Sequence, residues 1–228
     1  MVLESRPAVL FDIDGTLVDS NYLHVQAWSE ALTDLGSPMD SWRIHRAIGM
    51  DSQLLLRTLL GDSTDRLGDQ AKEGHNRKYA ELSDQLRTFA GARDLLAAIA
   101  ARDLQVVLAT SAPQEELSRL LEVLAADEWT AHVTSAENAE SAKPDPGILE
   151  VALAKAGTSA ERAVMVGDSV WDGEAAARAG VKFIGLRSGG SPSADLEKAG
   201  AVAVYDDPQD LLTRLDSSLL ARLWKESA

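Results

Sequence analysis

The chain has 228 residues, with 22 lysines and arginines against 36 aspartates and glutamates, a formal charge of −14. A free-standing nucleic-acid binder needs a basic footprint to neutralise phosphates, and attraction to anionic lipid needs the same, so this balance argues against both classes. The rest of the composition, 45% hydrophobic and 25% charged with no cysteine, suits a folded globular protein and excludes disulfides, thiolate metal sites and a cysteine nucleophile.

The segment Met1 to Leu10 lacks a positive stretch followed by a long apolar one, and no run approaches the roughly 18 apolar residues of a membrane span. With the missing cysteines, this gives the expectation of a cytoplasmic protein with no nucleic-acid or membrane partner. Ala8-Val9-Leu10-Phe11 is a short apolar run ending in Asp12, and its lack of alternation reads as a strand buried on both faces. Residues 20–88 then carry helical patterns and no convincing strand. Tyr22 to Leu35 ends at Gly36, Ser52 to Leu60 stops at Gly61, and Asp65 to Phe89 reads as one longer helical stretch weakened at Gly68 and Gly74. Further apolar runs follow at Gln105 to Ala109, Ala163 to Val166, Val181 to Leu186 and Ala201 to Val204. The helical patterns among them are Gln114 to Leu124, Pro146 to Ala156, Gly173 to Ala179 and Pro208 to Leu215. Strands alternating with helices of this length predict βαβ units in a parallel sheet covered on both faces. The expected organisation is an α/β core over 1–18 and 89–228, interrupted by a helical insert over 19–88. The insert has 8 basic and 11 acidic residues, a charge of −3, which leaves −11 on the core.

Four short motifs carry chemistry. Asp12-Ile13-Asp14-Gly15-Thr16 follows the first strand, and Gly15 permits a turn that brings two carboxylates to one centre. In an open α/β sheet that loop lies at the ligand crevice. Paired carboxylates there suit Mg²⁺, or a nucleophile with a general acid/base beside it, although an acidic turn after a strand is the plainer alternative. Gly167-Asp168-Ser169-Val170-Trp171-Asp172 repeats the pattern after another strand, with a helix N-cap at Asp168 or Ser169 as its alternative. Val106 to Ser111 is a strand ending in two hydroxyls, which can hold a phosphate oxygen or cap the helix beginning at Pro113. In Ser141-Ala142-Lys143-Pro144-Asp145-Pro146 the lysine precedes a proline and is extended; it can neutralise a phosphate or be an ordinary surface lysine.

These four pieces in this order resemble the haloacid dehalogenase-like hydrolase superfamily, in particular the subgroup with a helical cap inserted after the first strand. Phosphoglycolate phosphatases, sugar-phosphate phosphatases and β-phosphoglucomutases belong to that subgroup. The resemblance covers nearly the whole chain. It implies a doubly wound parallel sheet of Rossmann-like type with an inserted α-helical cap. It also implies an Mg²⁺-dependent phosphatase of small phosphomonoesters working through an aspartyl-phosphate. Carried over residue by residue, it makes Asp12 the nucleophile and a metal ligand. Asp14 becomes the acid that protonates the leaving alkoxide and then the base that activates water, with its backbone carbonyl on the metal. Thr110, with Ser111, binds the transferring phosphoryl group, and Lys143 bridges the nucleophile and the phosphate. Asp168 binds Mg²⁺ and Asp172 supports it, while Thr16 sits on the hinge side of the first loop. The cap is expected to close and shed water, with His24 contacting the substrate near the hinge; the alternative is a polar residue on an ordinary helix face.

Dehalogenases of the superfamily lack the second carboxylate, so Asp14 argues against dehalogenation. His24 and Ala27-Trp28 are similar to the β-phosphoglucomutase-like branch, yet Gly49-Met50-Asp51-Ser52 has serine where the mutases place an arginine. A phosphomutase is therefore the first alternative, and a catalytically idle binding or regulatory protein on the same scaffold the second. Arg43, His45 and Arg46 read as a solvated basic face, the alternative being contacts to the remote end of the substrate. Trp28, Trp42, Trp129, Trp171 and Trp224 read as core or interface anchors, with Trp171 singled out because it lies inside a metal motif.

Overall fold

The computed structural model describes residues 6–135, 137 and 143–225. Ser141 and Ala142 of the lysine motif lie outside them. The chain divides into two compact units, one formed by Met1–Asp19 with Arg87–Ala228 and the other by Ser20–Leu86.

The first unit is built on a six-stranded parallel sheet. Its strands are β1 (Ala8–Phe11), β4 (Gln105–Ala109), β5 (Thr130–Thr134), β6 (Ala163–Gly167), β7 (Lys182–Leu186) and β8 (Ala201–Tyr205), in the order β5-β4-β1-β6-β7-β8. A separate two-stranded antiparallel ribbon joins β2 (Val18–Asp19) to β3 (Arg87–Thr88). The helices are α5 (Ala92–Ala100), α6 (Gln114–Leu124), α7 (Gly147–Ala156), α8 (Val170–Ala179), α9 (Ser193–Lys198), α10 (Pro208–Thr213) and α11 (Ala221–Lys225). Strands β1, β4 and β6 are buried at every position, as a strand covered on both faces requires. One core cluster joins Leu10, Val107 and Met165 of these strands to Ile148, Leu149 and Ala152 of α7 and to Ala175 and Ala176 of α8.

Strand β1 pairs with β4 on one side and β6 on the other, Phe11 lying level with both Leu108 and Val166. After β1 the chain builds outward through β4 and β5, then returns to the far side of β1 with β6. The order therefore reverses between β1 and β6, and the crevice outside the carboxyl ends of those two strands is the expected ligand position. Asp12 directly follows β1 and Asp168 directly follows β6.

The second unit holds α1 (Asn21–Asp34), α2 (Ser41–Ala47), α3 (Ser52–Leu60) and α4 (Thr64–Leu82). Val25, Trp28 and Leu32 of α1 pack with Ile44 of α2, Leu55, Leu56 and Leu59 of α3 and Ala71 of α4. Each supplies one apolar stripe to a small core of its own. The α3 N-terminus is capped by Asp51, whose carboxylate accepts from the backbone N–H groups of Gln53 and Leu54.

Three differences from the sequence reading have local causes. The stretch read as one helix from Asp65 to Phe89 ends at Leu82, and its tail forms a 3-10 turn and then β3, because Arg87 and Thr88 find partners in β2. Strand β5 was not expected: it is an edge strand, only partly buried, and so needs no continuous apolar run. Trp42 is 59% exposed rather than an anchor, with the guanidinium groups of Arg43 and Arg46 lying 5.5 and 5.8 Å from its ring centroid. Among the described residues, no helix is long and apolar enough to cross a membrane.

Candidate active site

Asp12 leaves β1 with its N–H bonded to the carbonyl of Val166 in β6, 3.0 Å away, so the first acid is fixed by the sheet itself. The chain then turns back sharply. Leu17 and Val18 both donate to the Ile13 carbonyl, and Gly15 donates to Val18, at a φ of +71° that an L side chain rarely adopts. Asp14 sits in this turn, partly buried.

The second acid motif is built the same way from β6. Ser169 caps α8: its hydroxyl accepts from the Asp172 N–H, and its own N–H donates to Asp172 Oδ2 at 3.0 Å. The Ser169 hydroxyl also lies 2.6 Å from the same Oδ2. The N-cap reading of Ser169 therefore holds, and the cap turns Asp172 back toward the end of β6. It comes so close that a Cβ on Gly167 would lie 2.5 Å from the Asp172 Cγ. Glycine is required there for contact, not for turning.

The carboxylates of Asp12, Asp168 and Asp172 converge, one oxygen of each lying within 4.8 Å of the others, all three residues buried. The carboxylate of Asp14 stands outside that trio. Lys143, itself buried, donates to Asp12 Oδ1 at 2.5 Å and lies 2.8 Å from Asp172 Oδ1. The surface-lysine reading fails, since its side chain is only 2% exposed. Burial disfavours the charged ammonium, but the carboxylates of Asp12 and Asp172 outweigh it and hold the Lys143 pKa above its ordinary value. For Asp12, burial is the largest influence and raises the carboxyl; Lys143 opposes it, Asp172 and Asp14 reinforce it, and the result is about 7.

The donor set therefore combines three buried carboxylates with one ammonium and has a net negative charge. Burying like charges this close is costly unless a cation shares them, and an all-oxygen set suits a hard divalent ion. The residues present fit such an ion. The oxygens of Asp172 are already engaged, Oδ1 by Lys143 and Oδ2 by Ser169, so its part is to hold Lys143 and shape the charge.

Thr110 follows β4, and its hydroxyl accepts from the Ala112 N–H at 3.0 Å, which leaves the hydroxyl proton for a ligand. Ser111 Oγ is buried with no hydrogen-bond partner among the described residues. Neither caps α6, whose N-cap is Pro113 with no side-chain bond, so the capping alternative for this pair is excluded. His24 belongs to the helical unit, where it is buried with Nδ1 3.1 Å from His75 Nε2, and its ring stacks on Tyr79 at a centroid distance of 4.0 Å. Trp171 is partly buried in the first turn of α8.

Two contacts were not anticipated from the sequence. The hydroxyl of Thr16 donates to Asp168 Oδ1 at 2.9 Å, which ties the first acid loop to the second. The hydroxyl of Ser188, after β7, donates to the Gly15 carbonyl at 2.7 Å. Only the position of Ser188 just past a strand end marked it in the sequence.

The model of haloacid dehalogenase-like hydrolases matches residues 9–186. A phosphoglycolate phosphatase of Rhodospirillum rubrum is 33% identical over 212 residues, covering 88% of this chain and 87% of that protein. A phosphorylated carbohydrates phosphatase of Thermotoga maritima is 29% identical over 215 residues, covering 93% and 99%. The crystal structure of a hydrolase from Pseudomonas syringae superposes with a TM-score of 0.88 at 37% identity, covering 93% of this chain and 99% of that one. The sheet order, the two acid loops on either side of its reversal point and the match across 9–186 agree: the chain belongs to the haloacid dehalogenase-like hydrolase family.

Proposed function

We propose that this protein is a cytoplasmic Mg²⁺-dependent phosphatase that hydrolyses small phosphomonoesters, of the phosphoglycolate or sugar-phosphate kind, through a covalent aspartyl-phosphate on Asp12. The observation that carries this reading is the buried ammonium of Lys143 held between Asp12 and Asp172, beside Asp168. The relatives named for phosphoglycolate and for phosphorylated carbohydrates support the substrate class.

Lys143 fixes one oxygen of Asp12 and leaves the other as the nucleophile. That oxygen attacks phosphorus as the bond to the leaving oxygen breaks, and Asp14 supplies the proton that the departing alkoxide takes up. Asp14 then accepts a proton from the water that attacks the aspartyl-phosphate, releasing inorganic phosphate and restoring the Asp12 carboxylate. The ammonium of Lys143 offsets the repulsion between a carboxylate and an anionic phosphoryl group. The Thr110 hydroxyl, its acceptor side occupied by Ala112, donates to a phosphoryl oxygen, with Ser111 beside it. Asp12, Asp168 and the Asp14 carbonyl would hold Mg²⁺, with Asp172 supporting the set through Lys143. When bound, Mg²⁺ supplies charge neutralisation and orientation of the phosphoryl group.

The test is hydrolysis of p-nitrophenyl phosphate with Mg²⁺ by the wild type and by Asp12→Asn. The variant should lose activity while its circular dichroism spectrum stays that of the folded protein. Undiminished turnover by Asp12→Asn would rule the mechanism out. A phosphate-release screen over phosphorylated metabolites then identifies the substrate.

A further inference from the structure

We propose that Ser188 is a positioning residue for Asp14, acting through the Gly15 peptide; this rests on the phosphatase reading above. Gly15 is the point of greatest backbone freedom in the first acid loop, at a φ of +71°. The peptide before it is held within the loop by the Gly15 N–H, which donates to the Val18 carbonyl at 2.8 Å, and Asp14 bridges to Val18 as well. The peptide after it is held within the loop by the Thr16 N–H on the Ile13 carbonyl at 3.2 Å and also from elsewhere, by the Ser188 hydroxyl on the Gly15 carbonyl at 2.7 Å, across 173 positions of sequence.

Ser188 is itself well placed to act as a fixed donor. It sits one residue past Arg187, whose N–H bonds the Tyr205 carbonyl at 2.9 Å and extends the sheet. The chain then turns, with the Gly190 N–H on the Arg187 carbonyl at 2.9 Å. Strand β7, which presents this turn, is separated from β1 by β6. The hydroxyl therefore reaches over the end of β6, where Asp168 begins, to the loop that carries Asp14. Together with the Thr16 bond to Asp168, it holds that loop at two adjacent residues. Without it, the peptide after Gly15 keeps only the 3.2 Å bond from its Thr16 N–H to the Ile13 carbonyl, inside the same loop, and the Asp14 carboxyl loses the outside contact that fixes its aim, while Asp12, bonded to Val166 and Lys143, keeps its place.

A loss confined to Asp14 has a signature. Its proton is needed when the leaving group is an alkoxide and hardly needed when it is a stable phenolate. The parameter kcat/KM reports the steps up to cleavage of that bond. We would compare kcat/KM with Mg²⁺ for p-nitrophenyl phosphate and for the alkyl phosphate that the wild type turns over best, in the wild type, Ser188→Ala, Ser188→Cys and Ser188→Thr. Ser188→Ala should fall about tenfold on the alkyl phosphate, as expected for one lost hydrogen bond, and stay within about twofold on the aryl one. Ser188→Thr, which keeps the hydroxyl, should restore the alkyl rate. Ser188→Cys, of similar size with a weaker donor, should show the same selective pattern to a smaller extent, and it carries the test if Ser188→Ala does not fold. Equal losses on both substrates, or none, with an active wild type, overturn the role of Ser188 alone. A wild type that turns over neither substrate overturns the phosphatase reading and this proposal together.

Discussion

Lys143 and Asp172 form an ion pair almost without solvent, the ammonium 2.8 Å from Oδ1 and the two side chains 2% and 1% exposed. Oδ2 of the same carboxylate is closed off by Ser169. The pair is therefore part of a built arrangement in which a helix cap holds the partner of the site's lysine.

Asp172→Asn should destabilise the fold by about 1.5 kcal/mol, since it takes from the buried Lys143 ammonium one of its two carboxylates while Asp12 keeps the other. The amide oxygen can still accept from Ser169, so the loss is that of charge rather than of the cap. Combining it with Lys143→Met should cost less than the sum of the single changes, because Asp172 is then no longer a buried carboxylate deprived of its ammonium. Urea unfolding of the four proteins measures the coupling, and strict additivity would show that the pair contributes nothing.

Gly167→Ala places a methyl group 2.5 Å from the Asp172 Cγ. Asp172 must move, and with it the anchor of Lys143. We expect a loss of about 2 kcal/mol in stability, typical of an overpacked core. Turnover should also fall at a temperature where the variant is fully folded. A variant with wild-type turnover would show that the close approach is not needed for the site.

The trio of carboxylates predicts a response to metal that needs no substrate. Saturating Mg²⁺ should raise the thermal midpoint of the wild type, by the free energy that ligand binding adds to the folded state, about 2.7 kcal/mol at a hundredfold excess over Kd. Asp168→Asn should abolish the rise. Thr16→Val leaves the carboxylate but frees it from its 2.9 Å hydrogen bond, and should weaken Mg²⁺ affinity about tenfold. Differential scanning fluorimetry against Mg²⁺ concentration reads both, and an unchanged midpoint in the wild type would argue against a metal at this trio.

In the helical unit, burial is the main influence on His75, His24 adds to it and Asn76 partly opposes it, and its pKa falls from 6.5 to about 3. The unfolded chain therefore binds a proton between those values that the folded chain does not. The stabilising contribution is complete above about pH 6.5 and is lost as pH falls through the window toward 3. Between about pH 6.5 and pH 5.5, the wild type should lose about 1 kcal/mol relative to His75→Gln, since the titration of Asp12 is common to both proteins. Urea midpoints at the two pH values test this, and parallel changes in both proteins would refute it.

Legibility in the sequence followed the physical range of each signal. Strands β1, β4 and β6 were readable because a strand buried on both faces must be a continuous apolar run. Helix α6 was readable to its ends, since Gln114 to Leu124 carries its own period. Strand β5 was hidden because an edge strand has one neighbour and keeps polar residues such as Thr130 and His132. The seven-residue helix α2 was hidden because two turns are too short for a period to emerge. Thr110 and Ser111 illustrate a different limit: their types permit a cap or a ligand contact, and only the Pro113 N-cap without a side-chain bond excludes the first.

The sequence by itself determined that strands alternate with helices and that acid loops follow two buried strands. These are near-neighbour properties, set by side-chain periodicity and by glycine and proline in turns. Only the tertiary structure decided that Lys143 meets Asp12 across 131 positions and that Ser188 meets Gly15 across 173. It also decided that Asp172 meets Lys143 through one oxygen and Ser169 through the other. Hydrogen bonds depend on distances and directions fixed to fractions of an ångström. Those are set by how the strands pack and order themselves, which no local pattern of residues records.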